Sequence, residues 1–183
     1  MVTDQTIPVE LELIRDFVNT EELEPAVEEL PGPTELTKWL SARGLLSAGT
    51  RLTPRDHADA LAVRAALRVL LLANNDEAVD TTAAAETLDQ AARRARLGIR
   101  FHPDGSPTLE PAAAGGRGAI GRIVALAATA SRDEQWHRLK ACRRRSCQWA
   151  FYDHARNRSR AWCSMAVCGN REKARAYRER HAH

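Results

Sequence analysis

The sequence predicts a mainly α-helical protein: a helical N-terminal domain with one β-hairpin, then a small C-terminal finger made of a β-hairpin and a helix. Three observations lead there. Apolar residues recur at helical spacing from Leu11 to Ala130. One extended pair, "LGIRF" and "PTLEP", flanks the Asp-Gly turn in "HPDGS". All four cysteines, Cys142, Cys147, Cys163 and Cys168, fall close together near the C-terminal end. At 183 residues and 20.3 kDa the chain can bury one core of ~100 to 150 residues and carry an appendage. The predicted parts are residues 1–135 and residues 136–183.

Each element has a local reason. In "ELELIRDFVN", Leu11, Ile14 and Val18 share a helix face with Leu13 and Phe17 beside it, although "VELEL" also alternates as a strand does. Pro31, Gly32 and Pro33 form a turn, after which Thr34 is expected to cap a helix carrying Leu36, Trp39 and Leu40, with Gly44 ending it. Thr53, Pro54 and Asp56 start the longest core helix, "HADALAVRAALRVLLLA", which stops at Asn74 and Asn75. Another helix runs from about Thr81 to Arg96, with Arg93, Arg94 and Arg96 at the end where cations suit the helix dipole. The β-hairpin follows at 97–110. "GGRGAIGRIVALAATAS" then places Ile120, Ile123, Val124 and Ala127 on a last core helix. No Gly-Lys-Ser/Thr follows its glycines, so a phosphate loop is not expected.

The C-terminal part differs in chemistry. The whole chain is only +3, but residues 140–183 hold 12 Lys and Arg against 3 acids, or +9, and residues 1–139 hold 15 against 21, or −6. The cysteines are spaced Cys-x4-Cys, fifteen residues, Cys-x4-Cys. Two short pairs joined by a hairpin-sized segment bring four thiolates together at low closure cost, the donor set of a tetrahedral zinc site. The expectation is one structural Zn2+ held by Cys142, Cys147, Cys163 and Cys168. His137, His154, His181 and His183 are expected at the surface. A hairpin through "QWAFYD" and "RAWCS", between the two pairs, should lead into a helix opening near Ser164. Trp149, Phe151, Tyr152 and Trp162 should pack about the metal, and Arg143, Arg144 and Arg145 should offset the charge of the thiolates.

Basic residues then line up. On the C-terminal helix Arg171, Arg175 and Arg178 fall at i, i+4 and i+7, with Lys173, Tyr177 and Arg180 on a neighbouring stripe. In extended chain Arg156, Arg158 and Arg160 would share one strand face. Guanidinium groups presented from a rigid scaffold are the footprint of phosphate contacts, so these residues and Asn170 are the candidate nucleic-acid contacts.

The run "SRAWCSMAVCGNREKARAYRER", with Cys168, Gly169, Asn170 and Arg171 spelling CGNR, resembles the CGNR zinc-finger family, and "ARNRSRAWCSM" resembles its lead-in. "DFVNT" at 16–20, "LTKWLSARGLL" at 36–46 and "ALRVLLLA" at 66–73 resemble the ABATE domain found upstream of that finger. The resemblance covers nearly the whole chain. It implies a bacterial transcription regulator, described as stress-induced, whose treble-clef-like finger binds DNA and whose helical domain senses a ligand or mediates association. It also implies the four cysteines as the zinc ligands.

The function expected is therefore sequence-specific binding of double-stranded DNA, as a homodimer, with a small-molecule effector at the N-terminal domain. An RNA- or ribosome-associated module, stacking bases on the aromatics of 149–162, is the alternative, and a structural zinc tail for protein association is a third. Catalysis is not expected, because four cysteines leave no open metal position and no nucleophile–base pair or cofactor fingerprint can be assembled. With no leader pattern and no long apolar run, the expected location is the cytoplasm.

Overall fold

A computed structural model describes residues 7–75 and 78–181. Helix α1, Val9–Val18, turns Leu11, Ile14, Phe17 and Val18 inward. Helix α2, Pro33–Ala42, begins with proline at its first position, where the missing N–H costs nothing. Its N-cap is Gly32 in extended backbone, so Thr34 lies inside the first turn and does not cap it, contrary to the sequence expectation. Helix α3, Pro54–Ala73, opens with a reciprocal capping box: Thr53 Oγ1 accepts from the Asp56 amide at 3.1 Å, and the Asp56 carboxylate accepts from the Thr53 amide at 2.9 Å. Helix α4, Thr82–Ala95, ends on Arg96 in the left-handed region, φ 51°.

The core forms where these helices meet. Helix α3 packs against α1, α2 and α4, and against helix α5, Gly115–Ala130, which also touches α1 and α4. Leu36, Leu40, Leu67, Leu71 and Ile123 are fully buried there. The glycine-rich start of α5 is explained by close packing. A Cβ on Gly121 would lie 2.4 Å from Ala95 Cβ of α4, and one on Gly118 would lie 2.2 Å from the Ala113 carbonyl oxygen. The β-hairpin expected at 97–110 is present as Leu97–Phe101 and Pro107–Pro111, with Ile99 opposite Leu109.

A second ladder in the helical part was not read from the sequence. Strands β1, Glu21–Glu22, and β2, Val27–Glu28, pair antiparallel, so two hairpins stand where one was expected. The acidic run "EELEPAVEE" lacks strand alternation, and the ladder is held from outside by two arginines of α3. Arg64 donates to Glu28 Oε1 at 2.7 Å and to Thr20 Oγ1 at 3.0 Å, and Arg68 pairs with Glu21 and donates to the Val18 carbonyl at 2.7 Å. Both arginines are buried, and the hydrogen bond from Arg64 holds the Glu28 carboxyl below its usual range despite the opposing effect of burial.

The C-terminal hairpin also differs from expectation. The strands Leu139–Ala141 and Ala150–Tyr152, the fifth and sixth in the chain, pair with each other, so the first cysteine pair sits in the hairpin loop and "RAWCS" forms no strand. The reason is the two-residue period of a strand. Leu139, Ala141, Ala150 and Tyr152 face the helical core, whereas Phe151 faces the cysteines, so one hairpin is shared between two cores and cannot lie out in the finger alone. The helical core thus extends past residue 135.

Three asparagine side chains fix this junction. Asn19, from "DFVNT", accepts from the Ala150 amide at 2.7 Å and donates to the Ala150 carbonyl at 2.9 Å, behaving as a one-residue edge strand. Asn74 donates to the Trp136 and Leu139 carbonyls, and Asn75 donates to those of Ala141 and Ala161. Replacing Asn19→Ala strands both backbone groups of Ala150, and we expect a loss of about 2–4 kcal/mol. Thermal unfolding should then fall by about 4–16 °C. A midpoint within a degree of wild type would mean that the amide pair adds nothing.

Candidate metal centre

Each cysteine is placed by a different local device. Cys142 follows directly on the fifth strand, where its amide donates to the Trp149 carbonyl at 3.0 Å. A tight turn brings Cys147 back, its amide donating to the Arg144 carbonyl at 2.9 Å, and Gln148 at φ 47° redirects the chain into the sixth strand. Cys163 ends the following loop. A helix opens at Ser164 as expected, the Ser164 hydroxyl accepting from the Val167 amide, and one π-turn over Met165–Gly169 carries Cys168 to the cluster before helix α6, Asn170–His181.

The four sulfur atoms all lie within 4.8 Å of one another, and Cys147 and Cys163, like Cys163 and Cys168, are 3.6 Å apart. A tetrahedron with Zn–S bonds of ~2.3 Å has edges of ~3.8 Å, so the donor set fits zinc in both chemistry and size. The site holds one structural zinc. When bound, the metal supplies the cross-link between the hairpin loop and the start of the C-terminal helix. Among the described residues His137, His154 and His181 are exposed and outside the cluster; His183 lies beyond the described residues.

The sulfur environment is shaped by mutual contact. Hydrogen bonds from Cys147 and Cys163 pull the Cys142 thiol down to about 2, whereas the same contacts push Cys147 up to about 12 and Cys163 higher still. Cys142, Cys147 and Cys163 thus favour one thiolate and resist more, and a divalent cation removes that repulsion. Arg144 faces the group. Desolvation opposes its charge, but its hydrogen bond with Cys168 and the Glu24 carboxylate outweigh this, so its pKa is raised. Arg143 instead donates to the Asn75 carbonyl, tying the loop to the end of α3.

Around the sulfurs, Phe151 and Trp162 pack as expected, whereas Tyr152 belongs to the helical core and bonds Gln135. A Cβ at Gly169 would lie 3.1 Å from the Trp162 ring and would push aside the flexible, exposed Met165 side chain, whose Sδ is 2.2 Å away. Asn170 donates to the Ala166 carbonyl at 3.2 Å, a local bond back onto the π-turn.

The candidate basic residues do not form the expected stripes intact. Residues 154–160 form a turn with Arg158 at φ 52°, so Arg156, Arg158 and Arg160 share no strand face. Arg158 pairs with Glu134 at 3.0 Å. Arg160 donates to the Trp162 and Cys163 carbonyls and lies 4.9 Å over the Phe151 ring. The cause is Asp153: buried opposite Lys140, it takes the Arg160 and Ala155 amides and curls the chain between them. On α6, Arg175 pairs with Glu172 at 2.8 Å and Glu179 at 2.6 Å, and Arg171 reaches Glu24 at 3.4 Å. Arg156, Lys173, Arg178 and Arg180 have no ion pair among the described residues.

Phe17 and Trp39 pack on one another in the core with their rings tilted, centroids 5.3 Å apart, and Asn19 is the edge staple already described. An open cleft of about 540 Å3 lies alongside, between Trp39, Arg43, Asn19 and the sixth strand. No signal in the sequence marked Asn74, Asn75, Lys140 or Asp153 as junction residues, because their partners lie far away in the chain.

Residues 138–181 match the CGNR zinc finger, over the segment that carries the sulfur cluster. Residues 11–134 match the family described as "putative stress-induced transcription regulator", ABATE. No curated protein matches the chain. No helix among the described residues is long and apolar enough to cross a membrane. With about two thirds of its length inside the second match, the chain belongs to the ABATE family and carries a CGNR zinc finger as its C-terminal part.

Proposed function

We propose that this chain is a DNA-binding transcription regulator of the cytoplasm, in which the zinc-held base presents α6 to duplex DNA. The observation that carries this reading is the helix itself. It has no buried residue, projects from a metal-fixed turn, and carries Lys173, Arg178 and Arg180 with no ion pair among the described residues. A helix polar on every face adds nothing to a core, so its sequence answers to solvent or to a partner. Its cations suit phosphates, and its width suits a major groove. The RNA reading is disfavoured because, of the aromatics of 149–162 that would stack on bases, Phe151 and Tyr152 are buried and Trp149 and Trp162 are only partly exposed. We assign binding rather than catalysis, and pairing of two copies on a two-fold site, since one small module makes few contacts.

The test is a salt titration of the zinc-loaded protein on mixed-sequence duplex DNA, with structured RNA as competitor. Contact with about six phosphates gives a log–log slope near −5. A slope near zero, or RNA displacing duplex at equal concentration, would overturn the reading.

A further inference from the structure

The acidic loop between β1 and β2 reaches across to the finger. Its tip residue Glu24 places Oε2 2.6 Å from Arg144 Nη2 and 3.3 Å from the Ser146 hydroxyl, and Oε1 3.4 Å from Arg171 Nη1. Arg144 comes from the loop between the first two cysteines and Arg171 from the first turn of α6, so the carboxylate bridges both halves of the zinc module. The stem of the loop is fixed by the buried arginines: Arg64 grips Glu28 at 2.5 Å and Arg68 grips Glu21. The helical domain therefore neutralises Glu21 and Glu28 itself and holds out Glu24 to the finger.

A donor set of two guanidinium groups and a hydroxyl converging on two oxygens of one anion is also what a phosphate diester requires. We infer that Arg144, Ser146 and Arg171 form a phosphate subsite of the finger, and that Glu24 of the helical domain occupies it in the absence of nucleic acid. The inference rests on the DNA reading above and gives it a regulatory contact, since a backbone phosphate must displace the carboxylate to engage these groups. Glu24 is half-exposed and so is free to leave without unfolding its loop. Any change that moves this loop away from the finger would uncover the subsite.

The experiment compares duplex affinity of the full zinc-loaded chain as wild type, Glu24→Gln, Glu22→Gln, Arg171→Gln and the pair Glu24→Gln with Arg171→Gln. Zinc stoichiometry checks the fold of each. Glu22 lies at the end of β1, two residues from Glu24, and bears the same charge but makes no ion pair among the described residues, so it controls for charge alone. Glu24→Gln is expected to bind about 5-fold tighter at low salt, the scale of one exposed ion pair, with the gain fading as salt screens it. Glu22→Gln should change little, and the gain should shrink when Arg171 is also replaced. Wild type that binds duplex while Glu24→Gln binds no tighter, or a Glu22→Gln gain equal to that of Glu24→Gln, would overturn the subsite and leave the DNA reading standing. Absence of duplex binding by wild type and Glu24→Gln alike would overturn both.

Discussion

Chelation of the metal under reducing conditions should release residues 163–181 and leave the helical core folded. Metal-binding free energies of structural zinc modules run to about 10–16 kcal/mol, and here little else holds the segment. Helix α6 buries no residue, and the small core beneath it consists of the cysteines with Phe151 and Trp162. The hairpin belongs to both cores and should persist, because Leu139, Ala141, Ala150 and Tyr152 pack on the helices and Asn19, Asn74 and Asn75 bond its backbone. Hydrogen exchange reads the difference directly. The amides of Cys168 and Gly169, both bonded to the Ser164 carbonyl, should lose about 4 kcal/mol or more of protection, about 10³-fold in rate. The Asp153 amide, bonded to the Arg138 carbonyl at 2.7 Å, should keep most of its protection. Cys168→Ser should reproduce the pattern, and collapse of the whole chain on chelation would show that the hairpin is not anchored as described.

Lys140→Met should destabilise the protein by about 3–5 kcal/mol, the cost of leaving one member of a buried ion pair alone. Lys140 Nζ lies 2.9 Å from Asp153 Oδ2, with side-chain exposures of 6% and 0%. The ammonium also donates to the Arg158 carbonyl at 2.5 Å, so it closes the loop that leads to Cys163. Burial alone would raise the Asp153 pKa, but Lys140 and the Ala155 and Arg160 amides outweigh it and hold the carboxyl below its usual value of 3.8. A depressed carboxylate contributes its full stability above its unfolded pKa and loses it as pH falls through the folded value. Wild type should therefore lose this contribution only in strong acid. In Lys140→Met burial acts without the ammonium, so the gap between variant and wild type should narrow as pH is lowered below about 4. Pairing Lys140→Met with Asp153→Asn should recover only part of the loss, since both charges are then gone but an asparagine can accept just one of the two backbone amides that the carboxylate holds. A single-variant loss below about 1 kcal/mol in chemical denaturation would contradict the buried-pair account.

Much of this protein was legible along the chain. The helix start at Thr53, Pro54 and Asp56, the inward stripe of Leu11, Ile14 and Val18, the hairpin around Asp104 and Gly105, and the helix opening near Ser164 all depend on residues within four or so positions of one another. The four cysteines were legible for a related reason: two short pairs at this spacing suit the four donors of one metal ion.

The tertiary structure alone decided where the polar side chains go. Arg64 and Arg68 lie on the inward face of an apparently apolar helix because Glu28 and Glu21 meet them there. Arg160 reads as a surface cation until the buried Asp153 curls its loop, and Arg171 reads as free until Glu24, 147 residues away, is brought beside it. The C-terminal hairpin moved for the same reason, since strand pairing was settled by which face the helices cover. Helix periodicity and caps are short-range and are written in neighbouring residues. The partner of a buried charge is fixed only when the chain folds, and so is the choice of which cations remain for a ligand.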